Sequence, residues 1–60
     1  MTKEEVKELR ESLGLTQLKL CVRLGVSLTT VVNWESGKTK PSPMATKLLE
    51  ELKGKENKNE

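Results

Sequence analysis

Residues 16–41 read TQLKLCVRLGVSLTTVVNWESGKTKP, and this stretch decides the fold of the 60-residue chain. Thr16 stands as an N-cap, an oxygen-bearing side chain placed to accept an orphan N–H of the first helical turn. From it a helix runs to Leu24. Gly25 then supplies a left-handed turn that other residues take only with strain. Ser27 caps the next helix, which Ser36-Gly37 stops. Leu15 with Leu20, and Val26 with Val31, have the spacing of hydrophobic staples across the two caps. The two helices are about two turns each, and helices so short are marginal in water unless packing holds them. Leu20, Cys21, Leu24, Val31 and Trp34 are the apolar residues placed to do so.

The same punctuation extends in both directions. Thr2 with Glu5 forms a capping-box pattern that opens a first helix. Val6, Leu9 and Leu13 recur on one face of it, and Gly14 ends it. Ser42 opens a fourth helix, with Pro43 at the first helical position, where a missing N–H costs nothing. Ala45, Leu48, Leu49 and Leu52 line its inner face, and Gly54 ends it. The tail KENKNE has no apolar residue and reads as disordered. The expected organisation is a compact all-α domain of four helices over residues 1–53, with a polar tail over 54–60. No segment alternates apolar and polar residues far enough for a strand. The β-branched run TTVV, residues 29–32, is short and follows an N-cap.

Composition excludes several kinds of function. The chain has no histidine and one cysteine, Cys21. A disulfide framework within it is impossible, and a zinc site would lack ligands. No metal and no cofactor are expected. Cys21 reads as a small buried apolar group where two helices approach, in preference to a redox switch. Gly37-Lys38-Thr39 resembles the end of a phosphate-binding loop, but the upstream glycine and strand are missing. With no paired carboxylates in an apolar pocket either, the chain reads as no enzyme, with no small-molecule substrate. No apolar run approaches the roughly 20 residues that span a membrane, and no signal peptide is visible. The expected compartment is the cytoplasm, at the nucleoid.

The net charge of +2 is unevenly placed. Residues 1–11 carry Lys3, Lys7 and Arg10 against Glu4, Glu5, Glu8 and Glu11, a net of −1. Residues 50–60 carry Lys53, Lys55 and Lys58 against Glu50, Glu51, Glu56 and Glu60, again −1. The middle carries Lys19, Arg23, Lys38, Lys40 and Lys47 against Glu35 alone, a net of +4. The basic surface therefore coincides with the two central helices and the loop after them. Two short helices joined by a tight turn form a helix-turn-helix, and a second helix of this kind enters the major groove of DNA. Trp34, the only aromatic residue, reads as core, which removes most modes of stacking on single strands or RNA.

With Val31 and Trp34 facing inward, geometry turns Leu28, Thr29, Val32 and Asn33 outward. Asn33 has the donor–acceptor pair to bond adenine, and Leu28, Thr29 and Val32 suit thymine methyl groups. None is a guanine-reading Arg or Lys, which points to A·T pairs in the half-site. Phosphate contacts are expected from Thr16 and Gln17 at a helix N-terminus, from the hydroxyls of Ser27 and Thr30, and from Ser36, Gly37, Lys38 and Lys40 in and before the basic loop. Leu28 and Val32 also suit an apolar patch that meets protein.

The segment LTQLKLCVRLGVSLTTVVNWESGKTKPSP resembles the Cro and lambda-repressor-like, or XRE, family. The matching pieces are Leu15-Thr16-Gln17, Leu20, Cys21, Leu24-Gly25-Val26-Ser27, Val31, Trp34-Glu35 and Gly37 to Ser42. The likeness covers about residues 3–53. It implies a compact helical domain that binds double-stranded DNA, normally as a dimer on a two-fold operator. Gln17 would touch phosphate, and the start of the third helix would read bases. It also implies that Arg10 and Glu35 form a structural ion pair. The family usually has a fifth helix that often carries the dimer contact, and this sequence stops after the fourth and a polar tail. The implied homodimer is therefore weak, or uses another surface, or the chain is a fragment. Leu18 and Val22, four apart on the second helix, replace polar residues usual in the family. They read either as a partner patch or as ordinary scattered surface residues.

Together these observations point to a small sequence-specific transcriptional regulator, with repression by operator occupancy the commoner outcome in the family. The alternative is a protein-interaction module of the same fold, an antitoxin or adaptor, which would use Leu18, Val22, Leu28 and Val32.

Overall fold

The computed structural model describes residues 1–58. Four helices follow in order: α1 (Lys3–Ser12), α2 (Gln17–Leu24), α3 (Leu28–Ser36) and α4 (Pro43–Lys58). No strand occurs among the described residues. No described helix is long and apolar enough to cross a membrane.

Each helix begins where its cap dictates. The Thr2 side chain accepts the Glu5 N–H at 3.2 Å, and the Thr2 N–H donates to Glu5 Oε1 at 2.8 Å, closing a capping box. Thr16 accepts from the Lys19 N–H at 3.1 Å, Ser27 from Thr30 at 3.2 Å and Ser42 from Ala45 at 3.2 Å. The turn between α2 and α3 depends on Gly25 at φ 75°, which lets the Val26 N–H reach back to the Cys21 carbonyl at 3.0 Å. That bond satisfies an orphan carbonyl and reverses the chain within a few residues.

The caps aim four apolar faces at one core. Val6 and Leu9 enter from α1, Leu20 and Cys21 from α2, Val31 and Trp34 from α3, and Ala45 and Leu49 from α4. Met1, Leu13, Leu15, Leu24, Val26 and Leu52 pack around them. Fully burying one such aliphatic side chain is worth about 1.5–3 kcal/mol. Cys21 is buried with its thiol donating to the Leu18 carbonyl at 3.0 Å. Its small volume suits the close packing of α2 on α3.

Two expectations about α4 need correction. Leu48 is not on the inner face but 36% exposed. Ala45, Leu49 and Leu52, at spacings of four and three, already make the full contact stripe, and Leu48 falls beside it. Gly54 does not end the helix, which continues to Lys58, so residues 54–58 are helical where the sequence reads as a disordered tail. Glycine costs about 1 kcal/mol inside a helix but does not forbid it. The left-handed stop is usually accompanied by an apolar contact from just beyond it, and KENKNE offers none. Residues 59 and 60 of that tail lie outside the described residues.

One polar contact joins three helices. Arg10, in the last turn of α1, donates from Nε to Glu35 Oε2 at 2.6 Å and from Nη2 to Glu35 Oε1 at 3.1 Å. Its Nη1 donates to the Leu15 carbonyl at 2.9 Å, in the α1–α2 connection. Gln17, the first residue of α2, donates from Nε2 to Glu35 Oε1 at 3.1 Å. The side chains of Arg10 and Glu35 are only 14% and 7% exposed. This is the one ion pair among the described residues. The hydrogen bonds to Glu35 hold the Arg10 pKa above its ordinary value, against the opposing effect of burial. Glu35 lies in the last turn of α3, where the helix dipole disfavours an acid, and Arg10 supplies the compensating charge.

Two predictions follow from these contacts. Removing one partner of a buried ion pair costs about 3–5 kcal/mol because the other charge is stranded. A domain of this size rarely has more than about 3–5 kcal/mol in hand. Arg10→Met should therefore abolish the cooperative thermal transition followed by circular dichroism at 222 nm, and Arg10→Met with Glu35→Leu should restore it. A single variant melting within a few degrees of the parent would show that the clamp does not hold the fold. The second concerns the capping box. The Thr2 N–H that bonds the Glu5 carboxylate, as the leading cause, lowers its pKa. Its contribution is thus present above the ordinary carboxylate pKa and fades as pH falls through the lowered folded value. Glu5→Gln should flatten this part of the stability–pH curve on the acid side, as read from melting temperatures across the range. An unaltered curve would show that the bond is not maintained in solution.

Candidate nucleic-acid interface

The outer face of α3 is built by subtraction. Val31 and Trp34 are buried, so the residues one helical step away must face out. Leu28 is 43% and Val32 39% exposed. Thr29 is exposed and Asn33 half-buried. These four residues form one strip, two polar and two apolar, on a helix of nine residues. A strip of this size and chemistry matches the base edges and thymine methyl groups of a major groove, which is wide enough for one α-helix.

Hydrogen-bond donors flank the strip. α2 and α3 each begin with N–H groups that no helical carbonyl can reach. Thr16 and Ser27 satisfy one such group apiece, at Lys19 and Thr30. The N–H groups of Gln17 and Leu18, and of Leu28 and Thr29, remain as donors at positive dipole ends. The Ser27 and Thr30 hydroxyls bond each other at 2.8 Å, one donating and one accepting. Both are therefore fixed at the α3 N-terminus. Gln17 reaches Glu35, which carries the front of α2 to the far end of α3. The clamp thus sets the spacing between the α2 donors and the α3 strip.

The basic loop differs from its sequence reading. Gly37, at φ 85°, donates its N–H to the Trp34 carbonyl at 3.3 Å. The N–H groups of Lys38 and Thr39 both donate to the Asn33 carbonyl, at 3.0 and 3.4 Å. The Ser36 hydroxyl also donates to that carbonyl, at 3.1 Å, and accepts from Lys38 at 3.4 Å. Gly37 and Ser36 therefore do not supply free donors. Their groups are used to close α3, which leaves the Lys38 and Lys40 ammonium groups, both on exposed residues, as the charges of the loop. Arg10, committed to Glu35 and Leu15, likewise serves to position other groups.

Sequence reasoning missed the Asn33 carbonyl as the anchor of the loop. A left-handed glycine at 37 contained the signal, since its motif sends the following N–H back to the carbonyl five residues earlier. The electrostatics of the face are simple. Lys19, Lys38 and Lys40 are exposed and have no ion-pair partner among the described residues, whereas Arg23 shares a cleft with Glu51 of α4. The only acid between residues 12 and 49 is Glu35, and Arg10 neutralises it. Leu18 and Val22, 58% and 73% exposed, lie together on α2.

Comparison with known proteins agrees with this geometry. Residues 6–54 match a family model described as Helix-turn-helix. Searches of curated proteins and of solved structures return no match. The matched span takes in most of α1, α2, the glycine turn, α3, the basic loop and most of α4. The chain belongs to the Cro and lambda-repressor-like (XRE) helix-turn-helix family, a family of DNA-binding regulators.

Proposed function

We propose that the chain is a sequence-specific binder of double-stranded DNA that seats α3 in the major groove and represses transcription by occupying an operator. The observation that carries this reading is the strip of exposed Leu28, Thr29 and Val32 with half-buried Asn33, bounded by two helix N-termini and a basic loop. Asn33 reads an adenine edge, and Leu28, Thr29 and Val32 meet thymine methyl groups. Thr16, Gln17, Ser27 and Thr30 hold the phosphates on one rim, and Lys38 and Lys40 those on the other. These contacts set register without reading sequence. One small domain neutralises few phosphates, so a lone copy binds near the non-specific range of about 10⁻⁴–10⁻⁶ M. A second copy on a two-fold site raises both affinity and selectivity. The place of action is then the nucleoid, in the cytoplasm.

Selection of bound duplexes from a random pool tests the reading, followed by titration of the enriched site. Asn33→Ala should weaken binding to that site by about 1–3 kcal/mol and relax preference at one base pair. Equal loss on every sequence would remove Asn33 from base reading. Lys40→Ala should weaken all sequences alike and reduce the slope of log K against log salt by about one unit. An unchanged slope would take Lys40 off the phosphate path. A protein bound through Leu18 and Val22, with no enrichment from the pool, would favour the interaction-module reading, which the exposure of those two residues makes the runner-up.

A further inference from the structure

Charge counted along the sequence assigns Lys3 to an acidic N-terminal block, but the fold moves it. Gly37 has no side chain, and the Lys3 stem fills the space where one would be. Lys3 Cδ lies 3.1 Å, Nζ 3.7 Å and Cε 3.9 Å from the position a Gly37 Cβ would take. The Lys3 ammonium is thus held at the first residue of the basic loop. Lys3 and Lys40 stand together around one surface cleft, with Trp34 and Thr39 also lining it. Lys3 has no ion-pair partner among the described residues. One acid, Glu4, shares the cleft.

We infer that Lys3 is a further phosphate-contacting residue, extending the DNA-backbone surface from the 38–40 loop across to the start of α1. Two points support it. Its aliphatic stem rests on a glycine whose φ of 85° disfavours any other residue, so the ammonium is positioned at small entropic cost. Lys3 and Lys40 line one cleft, and Lys38 follows Gly37 directly in the chain, so the three cations belong to one basic edge beyond the end of α3. A duplex backbone is the occupant this surface fits: a polyanion matches a rim of separated cations, and α3 already brings the duplex alongside. Glu4 opposes the phosphate and weakens the contact in the parent chain. The inference rests on the DNA-binding reading proposed above.

The test uses the full chain and a random-sequence duplex, with binding measured by fluorescence anisotropy across a salt series. Lys3→Gln should lower the salt slope by about 0.9, the release expected for one phosphate contact, and weaken binding several-fold on every sequence. Lys3→Arg should keep the slope, Glu4→Gln should tighten binding, and Lys53→Gln on α4 should leave both unchanged. Lys3 and Glu4 are exposed on α1, and an unchanged circular dichroism melt confirms that each variant folds. An unchanged slope for Lys3→Gln beside a reduced slope for Lys40→Ala would overturn the Lys3 assignment and leave the DNA reading intact. Absence of salt-dependent binding by the parent chain would overturn both.

Discussion

The Glu35 carboxylate is the point on which the arrangement depends. It accepts two hydrogen bonds from Arg10 and one from Gln17, and Arg10 also bonds the Leu15 carbonyl. The end of α1, the α1–α2 connection, the start of α2 and the end of α3 are thereby referenced to one pair of oxygens. Apolar packing alone is non-directional and tolerates small slides between helices. A bidentate guanidinium–carboxylate pair does not, because its two bonds fix orientation as well as distance. In a domain held by eight buried apolar residues, this contact gives the two central helices a single relative placement. It also removes the one negative charge from the middle of the chain as an effective neighbour of a polyanion.

Rigidity at that point has a functional meaning. The proposed reading strip on α3 has only four side chains, and two of them, Leu28 and Val32, contribute shape and no hydrogen bonds. Discrimination of this kind requires that the strip arrive at a fixed depth and angle. The α2 donors and the basic loop set that approach. Gln17 is held by Glu35, and the loop is held by the Asn33 carbonyl, so both are tied to α3 itself. In the proposed complex, phosphate contact on either rim would therefore locate the strip directly, with no flexible connection between the two.

Much of this was legible in the sequence because it is local. Caps at Thr2, Thr16, Ser27 and Ser42 act within three residues, and the glycine turns act within five, so residue type and spacing suffice. The core followed from helical period once the caps set the register. Long-range pairing was not legible in the same way. Arg10 and Glu35 are 25 apart and Gln17 and Glu35 are 18 apart. The first pair was reachable only through family resemblance, and the second was not reached. Leu48 was misplaced because period alone gives a wider apolar arc than α1 and α2, on which α4 packs, can cover. Gly54 was misread because a glycine inside a helix costs only about 1 kcal/mol and does not by itself stop it. Lys3 was counted with the acidic N-terminal block because summing charge along the chain does not see that its stem lies beside Gly37.

The central claim is that one face, made by α3 and its two flanking rims, meets duplex DNA. Amide NMR titration of the chain with a generic duplex at low salt tests it most directly, since it needs no known operator and detects weak binding. The account predicts shifts at Thr16–Gln17, Ser27–Asn33 and Ser36–Lys40 that diminish as salt is raised. An absence of shifts, or shifts centred on Leu18 and Val22, would contradict it.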